Sequence, residues 1–290
     1  MLALIVLLMV MFVSPAHATI FWDDEMETGS VMGENSFLTG TLIPAGSYTI
    51  DTNTKYSGTG SIRINFQLAC DIPGPSLAGQ CGGSLTRTFT DQASIWKRVY
   101  FMMSGSSTPL TAPSSNCITT NCLFSASRLS STKMLQGQSL DNSAFAEKNI
   151  RHWWQIGKVG GKNFINSQEH VPTYNQTTDE FTSITLQDNR WYCIETHEVV
   201  NTAGVANGIA QAWVDGVQVL NDTNVLWQRA ASATAPGNFL WHQFQIIRQN
   251  GAGYFWWDRL AAADARIGCI GTPPPVDTTN PNPPTNFTAQ

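Results

Sequence analysis

The sequence is poor in charge. Lys, Arg, Asp and Glu together make up 13% of its 290 residues, and the net charge of −5 is spread without long blocks. No basic stripe is present, and phosphate binding needs one, so a nucleic-acid partner is disfavoured. An acidic sugar is not excluded, because one or two local Arg or Lys residues can hold it. Beyond the first residues no run is apolar and long enough to span a bilayer. No CxxC and no Cys/His cluster of zinc spacing occurs, which argues against a zinc site. There is no convincing long helix and no internal repeat.

What the chain does have is aromatic residues and turns. Aromatics are 10% of the sequence, with ten Trp. Such a composition fits a β-rich exported domain, where most Trp are core and a few are free to stack on sugar rings. Met1–Val13 is almost wholly apolar, and Ala16-His17-Ala18 reads as a small-x-small cleavage site. Residues 1–18 are therefore expected to be a signal peptide, although the segment lacks an N-terminal Lys or Arg. Six cysteines in an exported chain suggest disulfides, and fifteen pairings are open to them. Cys70 and Cys81 bracket one Pro/Gly-rich loop, and Cys117 and Cys122 bracket ITTN. Both read as local staples, which leaves Cys193 to pair with Cys269.

The most patterned stretch is Trp191–Leu220. Two runs of period-two character, Trp191–Val200 and Ile209–Asp215, flank a turn-rich segment. The Asp215-Gly216 turn then leads into Val217–Leu220, as in an antiparallel meander. Trp191, Cys193, Glu195 and His197 fall on one face of the first run. Further strands are expected at Ile20–Glu27, Tyr48–Phe66, Ser84–Phe89, Ile95–Met103, Asn149–Val159, Phe239–Gln249 and Phe255–Asp258, with Ala265–Ile270 closing the domain. Within them, Arg151, Trp153 and Gln155 share a face, as do Trp241, Gln243 and Gln245. Phe124–Asn149 has no clear pattern, and Gly160–Asp179 reads as a polar loop containing His170 and Tyr174. About a dozen short strands at this spacing predict an all-β, two-sheet antiparallel sandwich or jelly roll over residues 19–270. Residues 271–290 change abruptly to a Pro/Thr/Asn-rich linker whose end looks like the start of a fibronectin type III module.

Several segments, in order, resemble concanavalin A-like jelly rolls: FWDDE, YSGTGSIRINF, WYCIETHEVVN, AWVDGV and YFWWDRLAAADARIG. Within that superfamily the chain looks most like secreted bacterial polysaccharide-lyase-like modules, the group of alginate, glucuronan and heparinase-I-type lyases. The Glu-x-Asp-x-x-Glu signature of retaining glucanases is missing, which disfavours a paired-carboxylate mechanism. One alginate-lyase family carries Gln-Ile-His on a groove strand, whereas this chain has Gln155-Ile156-Gly157.

The resemblance implies β-elimination on an acidic extracellular polysaccharide. That reaction needs a group to neutralise the uronate carboxylate, a base and an acid. The expected catalytic residues are Arg151 for the carboxylate, His197 as base and Tyr174 as acid. Gln155, Trp153, Glu195, Gln211, Trp213 and Gln245 are the expected substrate contacts. For several of these the plainer role competes: a solvated sheet face for Arg151, Trp153 and Gln155, a structural pair for Glu195 and His197, core for Trp213. No cofactor is required, though Asp23, Asp24 and Glu25 could ligate a structural calcium; a solvated acidic turn is the plainer reading. No nucleic acid and no membrane partner is expected after signal cleavage, and the protein is expected to be a monomer. The rival functions are a non-catalytic carbohydrate-binding module and a surface adhesion domain of a longer extracellular protein.

Overall fold

The structure is a computed structural model that describes residues 18–25, 33–35, 48–65, 82–104, 131–138, 151–159, 162–170, 180–181, 184–228, 230, 239–249 and 254–271. The expected signal peptide up to residue 17, Cys70, Cys81, Cys117, Cys122, Tyr174 and the linker from residue 272 lie outside the described residues. Among those described, the chain forms strands and no helix. They are β1 (Ile20–Asp24), β2 (Gly33–Asn35), β3 (Tyr48–Asp51), β4 (Ser61–Asn65), β5 (Gly82–Gln92), β6 (Ser94–Met103), β7 (Ser131–Gln138) and β8 (Arg151–Val159). They continue with β9 (Lys162–His170), β10 (Glu180–Phe181), β11 (Tyr192–Val199), β12 (Gly208–Val214), β13 (Val217–Val225), β14 (Trp241–Gln249) and β15 (Tyr254–Ala263).

Two antiparallel sheets result. The back sheet has eight strands in the order β13-β12-β11-β6-β15-β4-β3, with β1 added beside the second half of β15. The front sheet has seven, in the order β10-β9-β8-β7-β14-β5-β2. The expected jelly-roll sandwich is therefore the observed architecture. Alternation explains the layering. Ile62, Ile64, Val99, Phe101, Ile194 and Trp257 of the back sheet meet Leu85, Trp154, Ile156, Ile165, Phe244 and Ile246 of the front sheet in one core. Each is almost fully buried, a burial that stabilises the fold by about 1.5–3 kcal/mol per large apolar side chain.

The meander of β11, β12 and β13 forms as its sequence implies. Asp215 and Gly216 adopt positive φ values of 50° and 82°, the conformation that a two-residue hairpin turn requires. Asp215 fixes the turn by accepting the Cys193 N–H at 2.9 Å and the Arg190 guanidinium at 2.9 Å.

Four local expectations are corrected. Residues 162–170 are a strand, β9, not part of a loop, and Ser131–Gln138 is the strand β7. β9 hides its period because the inward position of Ser167 is polar, held by a 2.7 Å hydrogen bond to His152. Trp241 does not share a face with Gln243 and Gln245. A register shift between Trp241 and Gln243 turns the Trp into the core, edge-on to Trp227 at 5.3 Å. Finally, 265–270 is not a strand. It is a strap lying across the outer face of the back sheet.

That strap closes a second, smaller apolar cluster outside the sandwich: Tyr100, Met102, Trp191, Cys193 and Trp256, with Tyr56, Tyr254 and Cys269 packed against it. Cys193 and Cys269 are disulfide-bonded, as expected. The Tyr56 and Tyr100 hydroxyls donate to the Ile270 carbonyl at 2.7 and 2.9 Å, and their rings stack at 3.7 Å. Beneath them Asp258 accepts the N–H groups of Tyr56, Ser57 and Arg259. Burial nevertheless pushes its carboxyl up to about 6, against those backbone hydrogen bonds.

Candidate functional site

The residues expected to act together lie on opposite sides of the sandwich. On β11, Tyr192 and Ile194 enter the core, so Glu195 and His197 occupy the outer face of the back sheet. On β8, His152, Trp154 and Ile156 are buried between the sheets. Arg151, Trp153 and Gln155 therefore hold the alternate register positions, on the outer face of the front sheet. Packed sheets are separated by ~10 Å, and side chains extend outward from each. His197 and Arg151 therefore hold positions on opposite outer faces of the sandwich.

The back-sheet residues are also engaged. Glu195 is 1% exposed and accepts the Gly268 N–H at 2.7 Å and the Arg266 Nε–H at 3.1 Å. It anchors the strap and has no oxygen turned to a ligand. His197 stacks on Trp96 at 4.1 Å and hydrogen-bonds Gln211 at 3.0 Å and Ser94 at 3.0 Å. Burial lowers its pKa, against the Gln211 hydrogen bond. Gln211 in turn donates to Asn221 at 2.6 Å. Trp213 is buried on this outer face beneath the Arg266 guanidinium, 4.7 Å from its ring centre. These four side chains lie together on the outer face of the back sheet, each held by the contacts above.

The front sheet's outer face has a different composition. Strand pairing sets His170, Arg151, Gln138, Gln243 and Thr88 side by side in one cross-strand row. A second row contains Gln168, Trp153, Gln136, Gln245 and Thr86. A third holds Asn166, Gln155 and Lys133. Apart from Trp153, basic residues, amides and hydroxyls fill these rows, and no Asp or Glu occurs in them. Gln155, Gln243 and Gln245 are buried at 3%, 6% and 3% exposure, and Gln245 donates to Gln243 at 2.9 Å.

His170 was not recognised as Arg151's neighbour from sequence. The signal was present: Gly160-Gly161 is a hairpin dipeptide. Counting outward from the Val159–Lys162 pair brings His170 opposite Arg151.

Between the sheets, directly behind β8, lies a buried polar cluster. Glu198 Oε1 meets Lys97 Nζ at 2.6 Å, accepts Trp154 Nε1–H at 2.7 Å and lies 3.2 Å from His152 Nδ1. Glu198, Lys97 and His152 are all excluded from solvent. Burial alone would raise the Glu198 pKa, but the Lys97 charge and the His152 hydrogen bond outweigh it and hold it down to about 2. Burial keeps the His152 pKa below its ordinary range, against the pull of Glu198. Glu198 gains its charge partners by facing inward, where it is shut off from solvent.

The calcium donors do not converge. Asp23 is exposed and Asp24 buried, on alternate faces of β1, while Glu25 pairs with Arg259 at 2.9 Å. Among the described residues no three Asp, Glu, His or Cys side chains gather as a metal site.

No protein-family model matches the chain, and no curated protein matches it by sequence. Among solved structures, the chain is similar to an endo-β-1,4-glucuronan lyase from the fungus Trichoderma reesei. The identity is 10%, with 85% of this chain and 96% of that one covered and a TM-score of 0.56. An alginate lyase from Aplysia kurodai matches at 10% identity over 74% of this chain and 86% of its own, with a TM-score of 0.48. A cellulose-induced protein matches at 13% identity over 86% of this chain and 100% of its own, also at 0.48. The likeness to the glucuronan lyase structure is one of fold, the two-sheet antiparallel jelly roll described above.

Proposed function

We propose that the protein is a secreted polysaccharide lyase that cleaves an acidic polysaccharide by β-elimination on the outer face of its front sheet. The observation that carries this reading is the row His170–Arg151–Gln138–Gln243–Thr88 and its neighbours, which combine Arg, His and Lys with amides and contain no carboxylate. A glycosidase needs two carboxylates at its scissile bond. A uronate lyase needs cationic and amide groups instead, because it must stabilise charge spreading from C5 into the carboxylate.

In this reading Arg151 binds the uronate carboxylate as a bidentate pair, aided by an amide of the row. His170, replacing His197, takes the C5 proton, since imidazole exchanges protons near neutral pH. The C5–H electrons form the C4–C5 double bond, and the C4–O bond breaks. Tyr174, four residues beyond His170 in sequence, protonates the departing oxygen. Trp153, Gln155 and Gln245 contact neighbouring sugars. The Cys193–Cys269 disulfide supports export to an oxidising compartment.

A non-catalytic carbohydrate-binding module is the second reading, favoured by the amides Gln155, Gln243 and Gln245. One experiment separates the two. The domain is incubated with alginate, glucuronan, pectate and heparin-like chains, and the ultraviolet absorbance of the unsaturated uronate product is followed. Product that disappears in His170→Ala and Arg151→Ala supports the lyase. Retention on a polysaccharide gel without product supports the binder.

A further inference from the structure

The front face is chemically lopsided. Its basic register positions, Arg151, His170 and Lys133, all lie on β7, β8 and β9. Across β14 and β5 the paired positions Gln243, Gln245, Thr86 and Thr88 carry no charge, and the ion pair on these strands, His242 with Asp91 at 2.7 Å, lies beyond Gln243 at their far end. Arg87 and Arg248 fall on the alternate positions of those two strands, with Leu85 and Ile246.

The uncharged half also has a defined hydrogen-bonding polarity. Gln245 spends its amide N–H on the Gln243 carbonyl at 2.9 Å. Its own Oε1 has no partner among the described residues, and neither does the hydroxyl of its cross-strand neighbour Thr86. Both residues are more than nine-tenths buried, at 3% and 8% exposure. An unmet buried acceptor costs about 1–3 kcal/mol, so it favours a ligand that brings a donor. A sugar hydroxyl brings one. A uronate carries such hydroxyls too, but its carboxylate brings only acceptors, and would face the amide oxygen with no cation beside it.

Resting on the lyase reading above, we infer that the substrate is a heteropolysaccharide. A uronate occupies the Arg151 end of the face, and a neutral sugar occupies the Gln245–Thr86 end through its hydroxyls. β8 and β14 are two strand spacings apart, ~10 Å, which is about two pyranose units along an extended chain. The uncharged end therefore selects the residue next to, or one beyond, the uronate that reacts.

The test compares homopolyuronates, alginate and glucuronan, with gellan, whose repeat sets one glucuronate among neutral sugars. Expected is a kcat/KM for gellan at least about tenfold above either homopolymer, the loss from pairing a carboxylate with an unmet acceptor. Gln245→Lys supplies a cation and should cut that preference to about threefold or less. If Gln245→Lys does not fold, Thr86→Val, which removes only the hydroxyl, should lower kcat/KM for gellan by a larger factor than for either homopolymer. Equal or faster cleavage of the homopolymers, unchanged by Gln245→Lys or Thr86→Val, overturns the inference and leaves the lyase reading intact. Product from no polymer overturns both.

Discussion

Removing the cation from the buried Lys97–Glu198–His152 cluster should cost much of the stability of the sandwich. In Lys97→Met the side-chain volume stays similar, but Glu198 keeps a charge with no solvent and no ammonium beside it. Breaking a fully buried ion pair from one side costs about 3–5 kcal/mol. For a domain of this size that is a fall in Tm of roughly 6–20 °C. The same pair shapes the acid limb, because Lys97 and His152 hold the Glu198 carboxyl well below its ordinary 4.5. Because the folded pKa is depressed, that stabilisation is complete above pH 4.5 and is lost as the pH falls towards 2. His152 acts in the same direction: its folded pKa is lowered, so the unfolded chain takes up the proton first, and stability declines below pH 6.5. Wild type should therefore begin to weaken below pH 6.5 and weaken more steeply below 4.5. Thermal unfolding of Lys97→Met, Glu198→Gln and the double variant across this range tests both points. In the double variant the buried charge is gone while Oε1 still accepts from Trp154, so its loss should be smaller than the sum of the singles. A Tm for Lys97→Met within about 2 °C of wild type, or strictly additive singles, would refute the reasoning.

Three other outcomes are expected. His197→Ala should leave product formation unchanged and cost about 1–2 kcal/mol through its lost stack on Trp96 and hydrogen bond to Gln211, read by denaturant titration. Glu195→Ala should expose the strap to hydrogen exchange around Gly268, since the Gly268 N–H and Arg266 lose their acceptor; unchanged protection there would contradict that role. Replacing Cys193 and Cys269 by Ser opens a loop of sequence separation 76 and should destabilise the domain by about 2–4 kcal/mol, measured as a lower denaturant midpoint.

The meander was legible because Asp215-Gly216 permits only one kind of connection and the flanking residues alternate cleanly. The same alternation showed that Glu195 and His197 share a face. It could not show which sheet β11 joins, and that single unknown put His197 and Arg151 in one site. Face and sheet are separate facts: period two fixes the first, and only long-range pairing fixes the second. β9 was hidden for a different reason. Its inward Ser167 is satisfied by His152 from the neighbouring strand, so no apolar period marks the segment. Trp241 was misplaced because a register shift adjoins it, and nothing local in FLWHQFQ announces one.

The strap across the back sheet also has a mechanical meaning. Cys269 is joined covalently to Cys193 in β11, and β11 is flanked on both sides by β6 and β12. Tension applied to the chain past Gly271 would enter through that covalent link, near the middle of the sheet instead of at a free edge. Two ladders would have to shear together before β11 could slide. The pull would arrive on the side away from the Gln-rich face, so that face would not be the part that is stretched.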